Sequence, residues 1–326
     1  DITIKDINEF LSKYSDITNK KLISEDIFKI LNTSNEDLMS EYIFRYFSDV
    51  FNGQVKTSSK ETKQGVVKTT FKNGTNTINF LVTKCRLNQE VPVAHCAYYI
   101  NNPFVVDYLN SPRFRISGLS ELERNIIDTV QNAQREQDIN KMSDIFDVVA
   151  NKDKLEGIKV LLKNAYNGQT VRKNGLYFYN DGKSDIDFRN LSTGLKSFAL
   201  IERLLECGKL KSKDVLILDE PEIHLHPEWQ LVYAELIVLL QKTFDLTILL
   251  VTHSFHFLES LNFFIDKYNI TERGNFYTPQ KSENGFIIVE TNDALYDSMD
   301  SLSKSSFELA RMKTEFEMEN ENDETD

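Results

Sequence analysis

Residues 215–230 read VLILDEPEIHLHPEWQ, and no other segment constrains the fold as strongly. Four apolar residues, Val215 to Leu218, run straight into two adjacent carboxylates, Asp219 and Glu220. An unbroken apolar run of that length predicts a buried strand of a parallel sheet. The carboxyl end of such a strand opens into a ligand crevice. Two carboxylates are costly there unless they hold a metal or polarise a water. Taken alone, the pair is equally an acidic turn after a strand, so the choice rests on two further segments.

Upstream lies Asn190-Leu-Ser-Thr-Gly-Leu-Lys-Ser197. It opens a predicted helix whose apolar residues Leu195, Phe198, Ile201 and Leu205 recur at helical spacing. Ser192 or Thr193 can cap that helix, and Gly208 stands where a glycine stop belongs. A helix start with Ser, Gly and Lys offers amides, a hydroxyl and a positive dipole end to a phosphate, although a Ser/Thr-Gly pair is also an ordinary cap. Downstream, Leu246-Thr-Ile-Leu-Leu-Val-Thr-His-Ser254 predicts a second buried strand running into His253. A lone histidine in that place is ordinarily a core residue. Its order and spacing relative to the other segments change that reading.

Together the three segments resemble an ABC-type ATPase head of the SMC and OLD-like branch. Leu191 to Lys196 resemble the signature motif, and Val215 to Glu220 resemble Walker B with its catalytic glutamate. Glu222 to Pro227 resemble the D-loop region, and Val251 to Ser254 the H-loop. The form DEPEIHLHPEWQ is similar to that of bacterial OLD-like, Septu-type PtuA and abortive-infection ATPases. The resemblance implies an α/β fold: a P-loop ATPase head with a mixed sheet flanked by helices, an antiparallel β portion and a short helical insertion. It also implies ATP and Mg²⁺ as ligands and a homodimer with composite sites. Asp219 would then hold Mg²⁺, Glu220 would polarise the attacking water, and His253 would contact the γ-phosphate. Ser192, Gly194 and Lys196 would reach the ATP of the opposite subunit.

The chain departs from the family pattern twice. Thr193 and Leu195 replace residues of the family signature, and Leu195 makes no polar contact. No G-x-x-x-x-G-K-[ST] occurs anywhere, so the nest and lysine that cradle a β-phosphate are missing from the sequence. The expectation is that this loop precedes Asp1. A split gene and a degenerate head are the alternatives.

Composition sets the remaining limits. The 326 residues are long enough for two domains, and 27% charged with 40% hydrophobic residues is ordinary for a globular chain. No apolar stretch approaches the roughly 20 residues that span a bilayer. Cys85, Cys96 and Cys207 show no C-x-x-C spacing, which predicts a reducing, cytoplasmic setting. A net charge of −12 argues against broad nucleic-acid binding. Seven acidic residues crowd Glu315 to Asp326, which reads as a solvated tail. The one basic patch, Lys56, Lys60, Lys63, Lys68 and Lys72, reads first as the solvated edge of a hairpin.

Along the chain, residues 1–118 read as the remainder of an N-terminal lobe with a hairpin turning at Asn73-Gly74. Residues 119–169 read as a helical insertion, and 170–290 as the signature, Walker B and H-loop lobe. A C-terminal segment, 291–326, follows. His224-x-His226 invites a metal reading, because alternating histidines share a strand face and Glu222 is nearby, but the resemblance makes the segment a D-loop. Trp229 reads as a core or interface anchor. The expected function is ATP binding and hydrolysis by a dimeric head that controls a separate nuclease or toxin in anti-phage defence or a similar system. Nucleic acid would be contacted through the complex, and no membrane is involved. An SMC-like DNA-repair clamp and a non-hydrolysing scaffold are the competing readings.

Overall fold

The computed structural model describes residues 33–51, 53, 66–70, 77–81, 86–87, 95–111, 119–139, 157–163, 168–283, 285–290, 302–304 and 307–316. Residues 1–32 of the N-terminal lobe, the Asn73-Gly74 turn and residues 317–326 of the acidic tail fall outside these. The chain is mixed α/β and divides into two units, one built from residues 1–94 with 120–122, the other from the remainder. In the smaller unit, helix α1 (Asn35–Val50) is capped by the Ser34 side chain. Strands β1 (Val66–Thr70), β2 (Thr77–Leu81) and β3 (Arg86–Leu87) form an antiparallel sheet.

The larger unit carries the parallel sheet that the apolar runs predict. Strand β4 (Ala97–Ile100) leads through a 3-10 turn, Pro103–Tyr108, towards α2 (Glu121–Ile139) and helix α3 (157–163). An antiparallel sheet of β5 (Gln169–Lys173), β6 (Leu176–Asn180) and β7 (Asp185–Asp187) follows. Strands β6 and β7 form a hairpin. The further strand β5 joins it through the left-handed pair Asn174-Gly175. Next come α4 (Thr193–Glu206), β8 (Val215–Asp219), α5 (Pro227–Phe244), β9 (Thr247–Val251) and α6 (Phe255–Lys267). A hairpin of β10 (Tyr277–Ser282) and β11 (Gly285–Glu290) completes the order.

Strand β8 lies between β4 and β9 and is parallel to both. Its Leu216 and Leu218 have no exposed surface, and Tyr98 and Ile100 of β4 are buried beside them. Phe198 and Leu204 of α4, Leu236 and Leu240 of α5, and Phe257 of α6 complete this core. Helix α4 is also fastened to the antiparallel sheet. Arg203, 6% exposed, lies 3.9 Å over the Tyr177 ring of β6 and pairs with Glu206. The opposite side of β9 is open among the described residues, with Leu249 53% and Val251 44% exposed. No described helix is long and apolar enough to cross a membrane.

Asp214 secures the amino ends of all three parallel strands. Its Oδ1 accepts from the Cys96 amide at 2.9 Å, its Oδ2 from the Lys211 amide at 2.8 Å, and its carbonyl from the Thr247 amide at 3.0 Å. The residue is only 2% exposed, so truncation leaves amides unsatisfied away from water. We expect Asp214→Ala to lower unfolding stability by about 2 kcal/mol, read from the urea midpoint at unchanged slope. A midpoint equal to wild type would show that water replaces both bonds freely.

Candidate active site

Asp219 closes β8 and stands level with Val251, the last residue of β9. Its Oδ2 accepts a hydrogen bond from the Tyr99 hydroxyl at 2.7 Å. Tyr99 reaches it because β4 pairs Tyr99 with Ile217, two residues before Asp219 and so on the same face. Burial first, and then the bond to Asp219, push the phenol up to about 12. It therefore remains a donor at physiological pH. The hydroxyl occupies one carboxylate oxygen and leaves the other for a ligand.

Glu220 follows in a left-handed conformation, φ +46°, which is sparsely populated by residues other than glycine. The turn aims its side chain across the sheet end. Its amide donates to the Val251 carbonyl at 2.9 Å, and its Oε1 lies 3.3 Å from His253 Nε2. Two segments 33 positions apart thus place a carboxylate against an imidazole. Both groups face solvent, His253 with 76% and Glu220 with 37% of the side chain exposed. Such a pair contributes roughly 0–1 kcal/mol and cannot by itself hold the loops together.

The buried contact beneath it is of a different kind. Glu222 is 4% exposed, and its Oε1 accepts from the Thr252 hydroxyl. Thr252 Oγ1 accepts in turn from the Ser254 amide at 3.0 Å. The Ser254 hydroxyl caps α6 and also reaches Gln230 Oε1 at 3.3 Å, while Gln230 Nε2 donates to the Leu225 carbonyl at 3.2 Å.

The start of α4 forms the second half of the site. Ser192 is its cap, with Oγ accepting from the Leu195 amide at 3.5 Å, and Gly208 follows the helix with φ +62°, as the spacing predicts. A Cβ on Gly194 would fall 2.9 Å from Cε3 and Cζ3 of Trp229 and 3.3 Å from the His224 carbonyl. Only glycine lets the indole lie this close. Ser192, Thr193, Gly194, His224, His226 and Trp229 line a cleft of about 290 Å³. Lys196, expected to reach a phosphate, does not line it. The side chain is 3% exposed, with its ammonium 2.6 Å from Asp107 Oδ1 and 4.8 Å above the Phe104 ring. Asp107 neutralises that charge inside the fold.

His224 and His226 do not share a strand face, because residues 221–225 form turns. The His224 ring lies edge-on to Phe104, with centroids 6.0 Å apart, and His226 caps α5 through Nδ1. The triplet Gly182-Lys183-Ser184 looks like the end of a phosphate loop but is the turn between β6 and β7. Asp181 Oδ1 already takes the amides of Lys183 at 2.8 Å and Ser184 at 2.7 Å.

The residues present fit Mg²⁺ and the far end of a nucleotide in part. Asp219 offers the hard oxygen Oδ1 that Mg²⁺ takes. The first amides of α4 are of the kind that bind a γ-phosphate. Tyr99 and Asp107 escaped sequence reasoning, which named Glu222 and Thr252 only as parts of the D-loop and H-loop segments. Only the Glu in DEPE, inside an otherwise apolar and turn-rich segment, gave a local cue.

Two tests follow from this geometry. Trp229 is the single tryptophan of the chain, so its fluorescence reports the cleft. Gly194→Ala should shift its emission and raise acrylamide quenching, at an overpacking cost of about 1–3 kcal/mol. Unchanged emission and quenching would place the indole away from Gly194. For Tyr99 the raised phenol means that the native state holds the proton more tightly than the unfolded chain. The associated stability is complete below the ordinary value of 10 and fades as pH climbs from 10 to about 12. Wild type should therefore exceed Tyr99→Phe by a constant margin from pH 6 to 9, shrinking above pH 10. A margin that grows above pH 10 would contradict the bond to Asp219.

No curated protein matches the chain. Among solved structures it resembles an SMC head bound to the C-terminal winged-helix domain of ScpA. Identity there is 10% and the TM-score 0.37, over 73% of this chain and 71% of that one. It also resembles the Pyrococcus furiosus Smc head with an extended coiled coil bound to the C-terminal domain of ScpA, at 11% identity and TM-score 0.35 over 76% of both chains. A third is the Thermotoga maritima SMC head domain, at 15% and 0.32 over 72% of both. These likenesses are loose. The family match is not: the model described as AAA domain, putative AbiEii toxin, type IV TA system, covers residues 20–259, and the chain belongs to that family.

Proposed function

We propose that the protein is an ATP-hydrolysing head that acts with a second copy of itself. The observation that carries this reading is the convergence of Asp219, Glu220 and His253 at the ends of two adjacent parallel strands, with Glu220 3.3 Å from His253. Mg²⁺, when bound, would supply charge neutralisation to the phosphates of ATP. Asp219 Oδ1 is the group to hold it, and Tyr99 fixes the rotamer through Oδ2. Glu220 orients the attacking water and draws its proton, and His253 donates to the γ-phosphate. Ser192 and the first amides of α4 reach the γ-phosphate of the second copy's ATP. Lys196 supports that helix start from within, through Asp107, and does not touch phosphate.

The output is a separate nuclease or toxin in a defence or toxin–antitoxin setting. The family description, AAA domain, putative AbiEii toxin, type IV TA system, supports the toxin–antitoxin setting but not a separate effector. The net charge of −12 disfavours tight nucleic-acid binding by this subunit alone.

Glu220→Gln should lower the ATP turnover of the protein about 10²- to 10⁴-fold while leaving ATP affinity within a few-fold of wild type. Phosphate release and calorimetry read the two quantities. Turnover within twofold of wild type would remove Glu220 from the mechanism and leave binding without hydrolysis as the surviving role.

A further inference from the structure

We propose that Glu222 and Thr252 are positioning residues that align His253 against Glu220, an inference that rests on the hydrolytic reading above. The aligned groups face water, and their mutual attraction is screened there. The link that joins their loops is shielded instead. Thr252 precedes His253 and Ser254 follows it, and the Ser254 amide, the Thr252 hydroxyl and Glu222 Oε1 form one hydrogen-bonded chain around the histidine. Glu222 stands two residues beyond Glu220, so the chain ties the two loops at the point where they must be in register. Gln230 closes the circuit by joining Ser254 to Leu225 on the Glu222 loop. Connected bonds of this sort polarise and strengthen one another away from water.

The character of Glu222 points the same way. Among the described residues no lysine or arginine pairs with it, and its Oε2 makes no hydrogen bond within the protein. A carboxylate 4% exposed and without a cation is an expensive way to hold a fold together. What it does hold is the Thr252 hydroxyl. A valine at 252 keeps the shape and removes the donor, whereas a serine keeps the donor.

The test reads alignment apart from turnover. The His253 imidazole resonances of labelled protein are compared with and without Glu220→Gln, in wild type, Thr252→Val and Thr252→Ser. We expect Glu220→Gln to shift the His253 signals in wild type and Thr252→Ser, and to leave them unmoved in Thr252→Val. ATP kinetics should then show a kcat at least tenfold lower in Thr252→Val, with KM for ATP within twofold, and recovery to within threefold in Thr252→Ser. Where Thr252→Val does not fold, Thr252→Ala carries the same expectation. If the His253 signals respond to Glu220→Gln equally in Thr252→Val and wild type, the strut does not align the pair and the proposal falls. A strut that passes the resonance test in a wild-type protein with no turnover would instead count against the hydrolytic reading.

Discussion

The parallel pairing of β8 with β9 is the constraint on which the site depends. Asp219 is opposite Val251, and the Glu220 amide continues the ladder to the Val251 carbonyl. Both strands therefore end at one level, and whatever follows each is delivered to the same place. Side chains alternate between faces, so a slip of one residue would turn Asp219 away from Tyr99 and onto the buried face that Leu216 and Leu218 now occupy. Asp214 guards that register from the opposite end by holding the starts of β4, β8 and β9.

Polar groups within the site divide by what surrounds them. The Glu220–His253 pair is solvated and worth roughly 0–1 kcal/mol, which leaves it free to exchange partners when a nucleotide and water arrive. Glu220 itself stands in a left-handed conformation costing about 1–2 kcal/mol, strain that the β8–β9 pairing sustains. The shielded bond of Thr252 to Glu222, of the charged kind worth about 1.5–3 kcal/mol, supplies the rigidity that the exposed pair lacks. Lys196 with Asp107 performs a comparable service beneath the α4 start.

Much of this was legible in the chain. Unbroken apolar runs marked β8 and β9 as strands, although β9, expected to be buried, exposes one face, and Ser192 and Gly208 marked the ends of α4. Each depends on neighbours within a few residues. What escaped depends on contacts between distant segments. Tyr99 reaches Asp219 across 120 positions, and nothing near Tyr99 reveals which strand it will lie beside. The inward course of Lys196 is set by Asp107, 89 positions away. The alternation in His224-x-His226 carries no information about a shared face, since this segment turns instead of forming a strand.

The central claim is that each ATP is cleaved by Glu220 of one copy against Ser192 of another. It is tested most directly by mixing two inactive proteins, one carrying Ser192→Arg and the other Glu220→Gln. A mixed pair contains one site with both intact groups and one with neither. The account predicts that each variant alone is inactive and that the mixture regains turnover, up to a quarter of the wild-type rate for random pairing at equal amounts. A mixture as inactive as its components, with mixed pairs demonstrably formed, would contradict it.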